Sequence, residues 1–365
     1  MPEMSPLPFL HLMQTLKDLP RTGWLRTIET PESVASHSFG LALLGGFAPP
    51  PLDSQRCMLI GLCHDLAESV VGDIPTYAGV PKEEKRKRES LAFEYIANLV
   101  RPCSGKFADE LMDLWEDYEH GRTPEGRFMK EMDKFECLTQ AFGYEQHTFG
   151  EKPGLEEFQG LTSKIKSPEA LGWLRDLQRE RAVHFDKRQR RLPVIFVTGM
   201  LILTCLNSDS NDEIGDLTAS KAISGRLAED FGWSSVCIRD ILLDASRDQS
   251  CPHAHFIQES LQYHCDIPAG LVISLLEPLL TEDRWIIVQD FLLDHMVAFE
   301  RQVQKTNFII HLTHQSGLTL GCSNPWNSTY YRELSLGSEE EIYMLAKKTT
   351  EEFLEAYRHV DKNPK

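Results

Sequence analysis

Residues 59–77, LIGLCHDLAESVVGDIPTY, set His64 beside Asp65, place Glu68 four residues past that histidine, and put Asp73 behind Gly72. On a helix, residues four apart share a face, so His64 and Glu68 are expected to look out together. Leu59, Leu62, Cys63, Leu66 and Val70 would then form the apolar stripe buried beneath them. An imidazole and a carboxylate at the end of an apolar helix suit a divalent ion, and a neighbouring glutamate outside the ligand set can move protons there. The His-Asp pair by itself arises often by chance; the glutamate and Gly-Asp that follow make it informative.

Around this stretch the chain reads as two parts. Its 365 residues are enough for two cores, and 41% hydrophobic with 25% charged residues is ordinary for a globular protein. Helical patterns run over residues 7–20, from Ser33 (a candidate cap) through His37, over the charged stretch after Tyr77, and over 104–120, 125–146 and 167–185. Nothing alternates with period two up to that point, so the first domain is expected to be all-α, with a linker at 183–193. The character then changes. PVIFVTG (193–199), RWIIVQDF (284–291) and NFIIHLT (307–313) read as buried strands alternating with helices at about 219–231, 239–247, 253–264, 268–281 and 338–358. That pattern predicts an α/β layered second domain.

The net charge of −17 repels phosphate backbones and argues against a nucleic acid polymer as partner. Nine scattered cysteines without a CxxC motif fit reduced thiols in a cytoplasmic protein. The N-terminus lacks a basic start followed by a long apolar run, so no secretory signal is expected. The apolar run from Val194 to Leu206 is too short and interrupted to span a bilayer. Several residues have plain readings when taken singly. His37 reads as a packed or capping residue, Arg21 as a surface cation and Trp24 as a packed ring. Lys82, Lys85, Arg86, Lys87 and Arg88 read as a solvated face, and Glu116 and Glu119 as site walls or an exposed acidic face. Asp133, among apolar neighbours, needs a partner such as Lys130 or a metal.

In order along the chain, His37, His64-Asp65 and Asp133 resemble the ligand set of HD-domain metal-dependent phosphohydrolases. PRTGW (20–24), PESVASH (31–37), CHDLAESVVGDI (63–74), PKEEK (81–85) and MDKFECLTQAFGYE (132–145) are similar to the 5′-deoxynucleotidase group of that superfamily. The resemblance implies an all-α helical bundle over 1–188 in which His37, His64, Asp65 and Asp133 hold one divalent ion. Mn²⁺, Co²⁺ or Fe²⁺ suit two imidazoles and two carboxylates, with Zn²⁺ or Mg²⁺ as alternatives. It further implies Glu68 and Asp73 as catalytic carboxylates, Arg21 at the phosphate, Trp24 at the nucleoside and Glu119 in support. The substrate would be a ribo- or deoxynucleoside monophosphate, and the protein a homodimer. One departure stands out: the family usually has an aspartate before the first metal histidine, where this chain has Ser36.

Residues 189–365 resemble nucleoside monophosphate kinases through PVIFVTG, SGRLAEDFGW (224–233) and IPAGLVISLLEPLL (267–280). The implied P-loop is degenerate. GDLTASKA (215–222) keeps Lys221 but has Ser220 where a glycine belongs, and VQDFLLDH (288–295) lacks the arginine of the family's DGFPR segment. A kinase-like domain without phosphotransfer is therefore expected. The competing expectations are a bifunctional phosphohydrolase and kinase, or a non-catalytic nucleotide sensor.

Overall fold

Helices build the first of two units, Met1–Ala182 and Val183–Lys365, in a computed structural model. It describes residues 5–148, 154–190, 194–199, 211–263, 265–280, 285–303, 308–313, 331–335 and 338–360. The chain enters through α1 (Leu7–Asp18) and a short turn of 3₁₀ helix at Thr22–Trp24. Ser33 then caps α2 (Val34–Gly45) by accepting from the Ser36 N–H, satisfying one of the donors a helix start leaves open. Asp53 caps α3 (Ser54–Cys63) in the same way. After α4 (Glu68–Val71) come α5 (Lys82–Val100), α6 (Gly105–His120), α7 (Pro124–His147) and α8 (Pro168–Arg190).

Two expectations about the decisive stretch fail here. The helix stops at Cys63, so His64 is its C-cap and Glu68 opens a separate turn. Between them, three-residue bonds such as Glu68 N–H to Asp65 O tighten the backbone. The buried stripe is consequently different: Cys57, Ile60, Gly61 and Cys63 face inward, with Leu66 below the turn. Leu59, Leu62 and Val70 are exposed. Ile60, Phe93, Ile96, Leu111, Leu114, Met129 and Met132 make one core in which α2, α3, α5, α6 and α7 meet. Within the expected linker 183–193, residues 183–190 are the end of α8, and 191–193 lie outside the described residues.

Among the described residues the second unit carries five parallel strands: β1 (Val194–Gly199), β2 (Ser234–Cys237), β3 (Ile286–Gln289), β4 (Phe308–Thr313) and β5 (Tyr331–Ser335), in the order β2-β3-β1-β4-β5. Central β1 aligns Val194 with Ile286 on one side and Ile195 with Phe308 on the other. Its side chains alternate between two cores. Phe196 packs with Ile238 and Phe299, while Ile195 and Val197 pack with Ile223 and Phe353. A parallel strand buried on both faces needs an unbroken apolar run, which VIFV supplies. The helices are α9 (Asn211–Phe231), α10 (Ile238–Arg247), α11 (Ala254–Tyr263), α12 (Ala269–Leu276), α13 (Leu293–Gln302) and α14 (Glu339–Val360).

This is a parallel sheet layered with helices. The segment after β1, residues 200–210, where a phosphate loop is expected, lies outside the described residues. GDLTASKA falls inside α9, so Lys221 is well past the first turn, and its Nζ donates to Asp240 at 3.1 Å. None of the described helices is long and apolar enough to cross a membrane. All described cysteines are free.

Candidate metal centre and substrate pocket

His37 projects from the first turn of α2, His64 and Asp65 from the tight turn after α3, and Asp133 from the middle of α7. The fold brings the four together. One donor atom each from His37, His64 and Asp65 lies within 4.8 Å of the other two. Asp133 joins through His37, its Oδ1 standing 3.3 Å from His37 Nε2. Asp65 Oδ2 is the hub, 3.0 Å from His64 Nε2, 3.9 Å from His37 Nε2 and 3.4 Å from Arg21 Nη1. Both imidazoles are buried, and His37 Nε2 has no hydrogen-bond partner. Two buried ring nitrogens and two carboxylates converging on one gap, with one nitrogen left orphaned, fit a divalent ion with nitrogen and oxygen ligands.

The outer face of each ligand is held. His64 Nδ1 donates to Gly61 O at 2.9 Å, and His37 Nδ1 donates to Glu136 Oε2 at 2.6 Å. Asp133 Oδ2 accepts from the Tyr118 hydroxyl at 2.7 Å and from Lys134 Nζ at 2.6 Å. Lys134, not Lys130, is thus the basic partner of Asp133; Lys130 donates instead to Glu119 O. The electrostatics follow from these contacts. Burial works against a charged His37, but the carboxylates of Asp133 and Glu136 outweigh it and raise its pKa to about 10. Desolvation also opposes Asp65 and Asp133, yet His64 for the first and Lys134 for the second hold both carboxyls ionised. Glu68 goes the other way. Burial, reinforced by Asp65 and Asp73, pushes it well above the usual carboxylate range, and its Oε2 has no partner.

These groups line a cavity of about 780 Å³ in the first unit. Arg21, Trp24, His64, Asp65, Glu68, Asp73, Glu119 and Asp133 all contribute to its wall. Arg21 keeps its charge because Asp65 and Asp133 overcome the cost of burial. Gly72 turns the chain with φ of 78°, a left-handed value that a side chain disfavours, and so aims Asp73 back at the Thr22 N–H, 2.6 Å away. Trp24 serves two purposes. It touches the cavity but is only 2% exposed, stacked on Phe158 and edge-on to Tyr144. The basic start of α5 divides: Lys82, Lys85 and Arg86 stand at the cavity, Lys82 remaining exposed, whereas Arg88 pairs with Glu84 outside it. Glu116 is not a wall residue and pairs with Arg122 at the surface. Tyr118, Glu136 and Lys134 are contacts that spacing alone did not single out. Ser36 turns to Ser33 at 3.0 Å rather than to His37.

Comparison with known proteins finds relatives of the first half of the chain. Residues 13–171 match the HD domain family. The chain is 40% identical over 193 residues to the 5′-deoxynucleotidase hdd1 of Schizosaccharomyces pombe, covering 52% of this chain and 97% of that protein. It is 38% identical over 184 residues to the human 5′-deoxynucleotidase HDDC2, covering 49% of this chain and 88% of the human one. A solved structure of the HD domain-containing protein YGK1 superposes with a TM-score of 0.39 at 31% identity, over 51% of this chain and 89% of that one. Through its first half, the chain belongs to the HD-domain family, in the group whose members carry the name 5′-deoxynucleotidase.

Proposed function

We propose that the first unit hydrolyses a deoxynucleoside 5′-monophosphate to nucleoside and phosphate. The observation that carries this reading is the gathering of His64, Asp65 and Asp133 in the wall of one cavity, with His37 buried against Asp133 and a charged, partly buried Arg21 against Asp65. The relatives' shared name supports the substrate class. Charge balance is consistent with it as well. Seven lysine and arginine side chains line the cavity beside seven aspartates and glutamates, of which Glu68 is pushed toward its neutral form, so the lining carries no excess of negative charge against a phosphate dianion.

An ion held by the four ligands would supply Lewis acidity at a phosphoryl oxygen and favour ionisation of a water. The protein does the rest. Arg21 binds the phosphate and screens its charge from the attacking oxygen. Glu68, kept protonated by its surroundings, hands its proton to the leaving alkoxide as the phosphorus–oxygen bond breaks, and the attacking water restores it. Asp73, anchored by Thr22, faces the sugar and the water. Trp24 and Phe158 form a rigid aromatic wall for the nucleoside, and Glu119 is a supporting carboxylate in the same cavity. The test is phosphate release from a panel of ribo- and deoxynucleoside 3′- and 5′-monophosphates with Mn²⁺, Co²⁺ or Mg²⁺. His64→Ala and Asp65→Ala should abolish the metal-stimulated rate; full activity in both would end this reading.

For the second unit, we infer a kinase-like fold without phosphotransfer. Supporting it, the DGFPR-like segment 288–295 has no arginine, and its Asp290 adopts a left-handed φ of 60°. Lys221 of α9 is engaged with Asp240 of α10. Incubating the full chain with ATP and UMP, CMP or AMP should leave ATP intact; transfer would establish the bifunctional alternative.

A further inference from the structure

The outer nitrogens of the two histidines have unlike partners. His64 Nδ1 meets a neutral backbone carbonyl, while His37 Nδ1 meets the Glu136 carboxylate. Asp133 and Glu136 lie three residues apart on α7, hence on one helix face, and they straddle the His37 ring. Asp133 Oδ1 addresses Nε2 at 3.3 Å and Glu136 Oε2 addresses Nδ1 at 2.6 Å. We infer that Glu136 is a positioning residue for the metal centre, fixing the His37 ring and its tautomer so that the Nε2 lone pair faces the ion.

An ionised carboxylate only accepts, so the proton on this bond belongs to Nδ1. Nε2 is then the nitrogen available to a metal, and it is the one lacking a hydrogen-bond partner. The opposite tautomer would aim N–H at the ion and leave Nδ1 facing the carboxylate lone pairs. Solvent cannot make up for a lost Glu136, because the His37 side chain is fully buried and lies edge-on to His64 with ring centres 5.4 Å apart. The serine at position 36 does not take this part, since its hydroxyl meets Ser33. The carboxylate that orients the first ligand therefore comes 99 residues later, from the helix that also supplies Asp133. Outer carboxylates on liganding histidines typically change metal affinity by about 10- to 100-fold.

This inference rests on the metal-centre reading, and its test reads metal uptake rather than turnover. The full-length chain, stripped of metal, is titrated with Co²⁺ in competition with a chromophoric chelator. Wild type is compared with Glu136→Gln, which keeps the shape, and with Glu136→Ala. Affinity should fall in the order wild type, Gln, Ala, with Ala weakened at least about 10-fold and the metal-free melting temperature of Glu136→Gln unchanged. Should Ala fail to fold, the Gln variant decides through its affinity. Affinities of Glu136→Gln and wild type within twofold would overturn this inference alone. A wild type that binds Co²⁺ but releases no phosphate would overturn the nucleotidase reading and leave this inference standing. A wild type that takes up no Co²⁺ would overturn both.

Discussion

Gly61 of α3 lies against Ala42 of α2 so closely that a Cβ there would sit 2.8 Å from the Ala42 backbone N and Cα. That contact sets the distance between the helix carrying His37 and the turn carrying His64. Neither backbone can yield as a flexible side chain would, so Gly61→Ala must push the helices apart. The expected cost is roughly 1–3 kcal/mol, together with weaker Co²⁺ binding. Gly143→Ala, on α7 with nothing within 4 Å of its added Cβ, is the control and should gain up to about 1 kcal/mol. Urea denaturation of both variants, alongside a Co²⁺ titration, checks the pair; an unaltered Gly61→Ala protein would contradict it.

Tyr118 is half-buried, with its ring 4.7 Å from that of His64 and its hydroxyl on Asp133 Oδ2. Tyr118→Phe keeps the ring and removes only the donor. Asp133 then retains Lys134 but loses the bond that fixes its plane, so Co²⁺ affinity should drop on the order of 10-fold and stability by about 1 kcal/mol. Competition titration and thermal melting in chelator measure the two effects separately. A Phe variant with native affinity would mean that Lys134 alone orients the ligand.

How much of this was legible beforehand differs from group to group. The candidate ligands His37, His64, Asp65 and Asp133 are few, chemically distinctive and ordered along the chain, so residue types and a resemblance sufficed to single out residues that the fold does bring near one another. Glu136 and Tyr118 look like any polar positions on amphipathic helices, and their partners lie 99 and 15 residues away. Lys82, Lys85 and Arg86 resemble a solvated charge run because a sequence shows no neighbouring wall; only the turn from Gly72 to Pro81 brings the start of α5 to the cavity. The buried stripe was misplaced for a local reason. Periodicity was extended through His64, whereas the helix ends at Cys63 and the inward face changes there. In the second unit, apolar β1, β3 and β4 announced themselves. β2 is the four residues SSVC and β5 is YRELS, neither with the unbroken apolar run of a central strand.

Glu68→Gln separates proton transfer from metal binding. The glutamate is outside the converging ligand cluster, and burial with Asp65 and Asp73 nearby holds it protonated. Gln mimics that neutral form in shape but has no proton to give. Phosphate release should therefore fall about 10²- to 10⁴-fold while Co²⁺ affinity stays within a few-fold of wild type. Steady-state kinetics with a deoxynucleoside 5′-monophosphate gives the first figure and titration the second. A variant that lost both together would place Glu68 among the ligands instead.

Glu32 gives the fold a pH dependence of predictable sign. Burial, with the Glu136 charge beside it, raises its pKa from 4.5 to about 7. Between those values the native protein keeps a proton that the unfolded chain releases, so this group's contribution is full below about pH 4.5 and is lost as the pH rises through 7. Glu32→Gln resembles the protonated form and cannot ionise. In metal-free protein it should match wild type near pH 4 and exceed it at pH 8, by roughly 1–3 kcal/mol on the scale of 1.36 kcal/mol per pKa unit. Urea denaturation at the two pH values measures the difference between the proteins, in which other titrating groups cancel. A gap of equal size at both pH values would show that Glu32 is already ionised in the native fold.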